Sequence, residues 1–375
     1  MQHPAVHGPV VALVLACALA ACTSTPSRAL RASLAPAEPA VPREVTVVPE
    51  RFIGPAQDGE ELDSLATWFD EAGHPWLFAS GKASHRIVVF DAATGIAVRT
   101  VGGPGTAPGQ FRRPNGLAVF GDLLFVVERD NRRVQVLRLP DFAPAGVFGQ
   151  PELRSPYGLW LHETAPDELE AYVTDSFMDG PAFDVVPPLA ELSQRIRRYR
   201  LVLAPGGDAL AAAESLGSFG DTTPAGALKI VESLAGDASR DRLLIADESR
   251  RSVSNLREYD LGGRWTGRSL PDGTFDGEAE GVLLWSCPGN AGYWLAVDQQ
   301  APLTSFHLFD RDTLAPRGSF RGEVTAMTDG VALAAASSAQ FPQGALYAVH
   351  DDRAIAAFDL GDIVRALSLD PACVA

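Results

Sequence analysis

Six stretches of this chain open on one short pattern: a polar or aromatic residue, then Gly or Ser, then two apolar residues. They are Asp63-Ser64-Leu65-Ala66, Asn115-Gly116-Leu117-Ala118, Tyr157-Gly158-Leu159-Trp160, Glu232-Ser233-Leu234-Ala235, Glu280-Gly281-Val282-Leu283 and Asp329-Gly330-Val331-Ala332. The small residues at their second positions are spaced 52, 42, 75, 48 and 49 residues apart. Each opening is followed by an apolar run that ends in polar or charged residues, such as LLFVVERD (123–130) or RLLIADES (242–249), and then by a third run such as RVQVLRL (133–139). A fourth, outer strand fits the remaining residues of a unit, for example AVRTVG (97–102). Units of about 40–50 residues with several strands each are the signature of propeller blades. The alternation in Arg197-Arg198-Tyr199-Arg200-Leu201 favours strands, and no long segment of period 3.6 competes with it. The expected fold is all-β, a six-bladed propeller in one domain over residues 45–375. The long third interval holds an insertion at 177–194 (FMDGPAFDVVPPLAELSQ), expected as a surface loop.

The residues before the repeats read as an address. An apolar run from Val10 to Ala21 is too short to span a bilayer and suits a signal segment. It ends in Leu19-Ala20-Ala21-Cys22, which resembles the bacterial lipobox, whose Cys is lipidated and becomes the new N-terminus. Residues 1–22 are therefore expected as a lipoprotein signal and 23–44, rich in Ser, Thr, Ala and Pro, as a flexible tether. The protein is expected to be exported and held at the cell envelope by a lipid on Cys22, on the periplasmic face or the outer membrane, with plain secretion as the alternative. Cys17 and Cys22 belong to that segment. Cys287 and Cys373 remain, either as one disulfide or as two buried thiols.

A formal net charge of −16 argues against nucleic acid as a partner. In a propeller, the start of each innermost strand and the end of each second strand reach one mouth of the central channel. The first column is Asp63, Asn115, Tyr157, Glu232, Glu280 and Asp329. The second is Lys82, Arg129, Asp175 or Ser176, Asp247 or Glu248, Asp298 or Gln299, and His350 or Asp351. Glu278 points to the same side as Glu280 by the period of two. Crowded carboxylates call for a cation, and an all-oxygen set without a Cys or His cluster favours Ca²⁺. Lys82 and Arg129 offer positive charge for a phosphate. No G-x-S-x-G is present, and His74, His85 and His162 show no triad partner, which argues against a serine hydrolase.

At this level the residues resemble the bacterial β-propeller phytases across about residues 60–365. Asp63-Ser64-Leu65-Ala66-Thr67-Trp68 is similar to the family's D-D-P-A-I-W, and Pro156-Tyr157-Gly158-Leu159 to its Y-G motif. Glu232-Ser233-Leu234-Ala235 stands where the family has E-G-M-A. Ala246-Asp247-Glu248 stands for A-E-E, and Glu278-Ala279-Glu280-Gly281 for D-I-E-G. Thr328-Asp329-Gly330-Val331 resembles T-D-G-I, and Phe341-Pro342-Gln343-Gly344 resembles Y-P-x-G. The resemblance implies a calcium-dependent phosphomonoesterase acting, as a monomer, on phytate or related phosphate esters, with calcium bridging the substrate phosphate and activating a water. Carried over by position, Asp63, Tyr157, Glu232, Glu248, Glu278, Glu280 and Asp329 would hold metal, Lys82 and Arg129 would hold phosphate, and Glu232, Lys82 and Arg129 would be catalytic.

The chain departs from the family at several positions. Lys82-Ala83 replaces two adjacent lysines, Asp175-Ser176 replaces a lysine, Ser64 replaces an opening Asp, and Met327 and Ala332 replace acids. Residues 108–137 also resemble NHL-type propellers, which makes a non-catalytic envelope binding module the alternative. A lactonase-type site using Asn115 with acids is a third reading.

Overall fold

A computed structural model of the protein describes residues 44–249 and 254–374. The signal, Cys17, the lipid-anchor Cys22 and the tether up to residue 43 lie outside the described residues.

The protein is a six-bladed β-propeller. Blade one is built from strands Leu62–Phe69, Pro75–Gly81, Arg86–Asp91 and Ile96–Gly102 in simple antiparallel order. Blades two, three and four repeat that order from their first strands Pro114–Phe120, Pro156–Ala165 and Val231–Asp237. Blade five starts with Glu278–Ser286 and carries Val45–Val47 as a fifth, parallel strand on its outer edge. Blade six takes its three inner strands, Val331–Ala334, Ala345–His350 and Ala354–Asp359, from the end of the chain. Its outer strand, Phe52–Ile53, comes from the beginning. The ring is thus closed by pairing across nearly the whole chain, which removes two exposed edges at once.

The middle strands explain how the blades pack. They are buried on both faces, and successive residues serve opposite neighbours. Phe78 and Leu124 join blades one and two, whereas the adjacent Leu77 and Phe125 join blades six and one and blades two and three. Leu243 and Ile245 face blade three, and Leu244 and Ala246 face blade five. Among the described residues, six buried clusters result, one at each blade junction. A one-residue slip in any middle strand would exchange its two neighbours' surfaces, so the register is firmly fixed.

The chain ends in helix Leu360–Leu367, whose N-cap Asp359 accepts the Asp362 N–H at 3.1 Å. Ile363, Val364 and Leu369 enter the junction of blades five and six. Cys287 and Cys373 form a disulfide there, 86 residues apart in sequence, which removes about 4–5 kcal/mol of loop entropy from the unfolded chain in the entropic account.

The repeated opening pattern has a structural cause. In blades one to five the pairing of the first strand skips two residues: between Leu62 and Leu65, Pro114 and Leu117, Pro156 and Leu159, Val231 and Leu234, and Ala279 and Val282. The skipped pairs are the first two residues of each repeat, a bulge that re-aims the polar side chain toward the axis. The small second residue lets neighbouring innermost strands approach. A Cβ on Gly158 would collide with the Glu232 carbonyl, and one on Gly330 with the Asp63 carbonyl.

Candidate metal centre and substrate cleft

Two residues at the end of each second strand have separate tasks. The strand-terminal acid is a latch. Asp175 accepts the Ser155 N–H at 2.6 Å and pairs with Arg197 at 3.1 Å. Asp247 accepts the Lys229 and Ile230 N–H groups at 3.1 and 3.2 Å and pairs with Arg257 at 2.9 Å. Asp298 accepts the Asp276 and Gly277 N–H groups at 3.0 and 2.8 Å, with His307 Nε2 at 3.3 Å. Glu128 does the same for Arg112 N–H at 3.1 Å, with Arg133 as its partner. In blade six His350 Nδ1 accepts the Ala326 N–H at 3.1 Å. These groups tie down the loop that enters each first strand, where backbone donors would otherwise be orphaned. The pairs left open by the sequence are thereby divided. Asp175, Asp247, Asp298 and His350 hold the frame, and Ser176 adds to it by accepting the Val231 N–H at 3.1 Å. Ser176 and Glu248 line the mouth cleft, and the Gln299 amide donates to Asp329.

The channel is lined by Asp63, Tyr157, Glu232, Glu280 and Asp329 together with the small residues of the repeats, around about 120 Å³ of space. Asn115 is fully buried, and with its amide turned over its nitrogen donates to the Arg113 and Pro114 carbonyls at 3.1 Å.

On one side of the channel, a lysine offsets part of the negative charge. Lys82 Nζ lies 3.1 Å from Asp329, 3.3 Å from Asp63 and 3.8 Å from Glu61. Burial opposes its charge, but Asp63 and Asp329 hold its pKa above the ordinary lysine value. Asp329 also accepts a hydrogen bond from the Gln299 amide. Its pKa is still pushed up to about 7, first by burial and then by Asp63.

On the other side, three acids meet, and among the described residues none of them has an ion-pair partner. Carboxylate oxygens of Glu232, Glu248 and Glu280 lie within 4.8 Å of one another. Burial is the largest cause raising all three pKa values well above the ordinary range. Asp63 adds to it for Glu232, Glu232 for Glu248, and Asp329 for Glu280. Glu248 Oε1 is a buried atom with no hydrogen-bond partner among the described residues. Tyr157 lies beside Glu232 and favours its charged form. Its own hydroxyl is kept protonated by burial first and by Glu232 next. An all-oxygen, multiply anionic set with an orphaned buried oxygen fits a hard divalent cation.

Outside this cluster opens a cleft of about 1000 Å³. Glu232, Glu248 and Glu278 form its acidic part, and Arg129, Arg132 and Arg154 stand along it. Arg129 is about one-third exposed and pairs with Asp130 at 2.8 Å. The remaining wall is supplied by the insertion after Ser176. Arg132, Arg154, the insertion wall, Arg113 beside Tyr157 and Asp352 near Asp63 and Lys82 had no signal in the repeat columns. They sit on loops with no shared repeat position.

No protein-family model matches the chain, and no curated protein sequence matches it. Its solved structural neighbours are β-propellers. XC5397, a gluconolactonase from Xanthomonas campestris, aligns with a TM-score of 0.53 at 16% identity, covering 87% of this chain and 99% of its own. A luciferin-regenerating enzyme aligns at 0.49 with 11% identity, covering 81% and 93%. A catalytically inactive virginiamycin B lyase from Staphylococcus aureus aligns at 0.46 with 9% identity, covering 81% and 97%. At these identities the likeness shows the fold alone.

Proposed function

We propose that the protein is a calcium-dependent phosphomonoesterase, exported and lipid-anchored through Cys22. The observation that carries this reading is the Glu232, Glu248 and Glu280 cluster opening on a cleft that arginines also line. Those three acids would hold the ion, with Glu278, Tyr157, Asp63 and Asp329 around them. When bound, calcium supplies positive charge for a substrate phosphate and polarises water. The chain's own residues do the rest. Arg129, Arg132 and Arg154 attract and orient the anion. Glu232 borders both the channel and the cleft, so its carboxylate is the group placed to take the proton of the attacking water. Water then adds to phosphorus, the ester P–O bond breaks, and the departing alcohol receives a proton. Lys82 stands behind this site, keeping Asp63 and Asp329 charged and in place.

The test is phosphate release from a panel of phosphate monoesters, phytate among them, with calcium and with a chelator. Release that stops with chelator and in Glu232→Ala supports the reading, and release undiminished in either overturns it. The neutralisation of Lys82 favours one alternative, a non-catalytic propeller that binds calcium and turns over no ester. Calcium-dependent thermal stabilisation without phosphate release would select it. Lipid attachment is checked by mass spectrometry of the mature N-terminus, which should begin at a diacylated Cys22.

A further inference from the structure

The cleft has two chemically opposite sides, and the apolar one is built by the insertion. Phe177, Met178, Ala182, Phe183 and Val186, with Ile230, face the same space as Glu232, Glu248 and the three arginines. A site for a ligand charged all round would place polar groups on every side. Here the insertion contributes five apolar residues, Phe177, Met178, Ala182, Phe183 and Val186, and one acid, Asp184.

The apolar wall is anchored rather than loose. The Arg195 guanidinium, fully buried, donates to the carbonyls of Asp175 and Phe177 at 3.1 and 2.6 Å and to those of Leu228 and Lys229 at 3.3 and 2.6 Å. It fastens the root of the insertion to the loop entering blade four. Arg154 lies 3.6 Å over the Phe177 ring and Arg195 4.6 Å from its centre, so the ring is held between two cations. Beyond that root the chain makes a tight hairpin. Asp179 and Val185 exchange backbone hydrogen bonds at 2.7 and 3.1 Å, and the Phe183 N–H donates to the Gly180 carbonyl at 3.2 Å.

Phe183 sits at the tip of this hairpin with φ of 53°, a left-handed conformation unusual for an aromatic residue, and is 76% exposed. A large apolar side chain held in a disfavoured conformation and turned to solvent beside a cleft marks a contact surface.

Resting on the reading of the site as a phosphomonoesterase, we infer that its substrate is a phosphate monoester of an apolar, ring-sized alcohol. The phosphate faces the acids and arginines, and the alcohol lies against Phe183 and Val186. Phe183 is then the residue that sets preference for the leaving group. Hydrolysis consumes one water, breaks the P–O bond to that alcohol and returns its oxygen protonated.

The test compares 1-naphthyl phosphate with glycerol phosphate, in calcium, for the purified protein, Phe183→Ala and Phe183→Leu. The expected result is a kcat/KM preference of about tenfold or more for the naphthyl ester. It should fall below about threefold in Phe183→Ala through a raised KM, and be largely retained in Phe183→Leu. Equal rates on both esters, or a preference untouched by Phe183→Ala, would overturn the inference. If neither ester is turned over, the phosphatase reading fails by itself. The same ratio, read as calcium-dependent dissociation constants for the two esters, then decides the inference.

Discussion

The two sides of the channel mouth occupy equivalent positions in a repeated fold, yet they solve the problem of crowded carboxylates in opposite ways. Where blades six and one meet, Lys82 enters between Asp63 and Asp329 and offsets part of their charge from within. Where blades four and five meet, carboxylates of Glu232, Glu248 and Glu280 converge, and among the described residues no ion pair to these three is seen. The contrast separates a frame from a receptor. The first side carries its own lysine, while the second is the one proposed to take a cation. It also shows why position in a repeat does not assign a role: Lys82 and Glu248 hold corresponding places at the ends of second strands, and one brings a positive charge where the other brings a negative one.

The largest effect is expected from breaking the side that carries the lysine. Lys82→Met leaves the buried Asp63 and the half-buried Asp329 without their cation, which should lower stability by about 3–5 kcal/mol in chelator. Denaturant unfolding with and without calcium measures it. A second expected sign is that calcium recovers part of the loss, because removing the lysine turns this side into a site like the other. A variant as stable as the parent in chelator would mean that the two sides do not differ as described.

Next in size is the loss expected from the open side. At calcium one hundred times its dissociation constant, a single bound ion adds about 2.7 kcal/mol to the native state. Glu248→Gln should erase most of this gain while altering stability in chelator little or favourably, since it removes a buried charge. Thermal melts over a calcium series distinguish this from general damage.

The pH dependence follows from the direction of the shifts. Asp329 is raised from 3.8 to about 7, and the three glutamates are raised as well. Acids with raised native pKa values bind more protons when folded than when unfolded. Stability in chelator is therefore full below the unfolded value near 4, and is lost progressively as pH rises toward about 7 and above. Bound calcium replaces those protons, so its affinity should increase over the same interval and the loss should disappear. Melting temperatures at pH 4 to 8, with calcium and with chelator, check both signs.

How far the sequence revealed this arrangement varied with how local its causes were. The five bulges are legible because each is a two-residue signal, polar then small, repeated at the start of a strand. Glu232, Glu280 and Asp329 could therefore be placed from the repeat. The second column was readable only to within one residue. Asp175-Ser176 and Asp247-Glu248 alternate in facing, and which member latches the loop depends on backbone donors some twenty residues away, such as the Ser155 and Ile230 N–H groups. The closing strand Phe52–Ile53 carries too few residues for any period, and its pairing to Ala357 and Ala356 spans about three hundred positions. The insertion wall escaped for a related reason: its direction is set by Arg195 reaching carbonyls of two separate loops.

The smallest effect concerns the rim, where the charges are solvated. Arg129 is partly exposed and already paired with Asp130, so it contributes through attraction and orientation rather than through a buried contact. Arg129→Ala should raise KM for a phosphate monoester by about tenfold or less with kcat nearly unchanged, the pattern of lost uniform binding. The difference should shrink as salt is increased, because the attraction is screened over about 10 Å at 0.1 M. A large fall in kcat instead would place Arg129 at the reacting phosphate, and the positive side of the site would then lie deeper in the cleft than its rim.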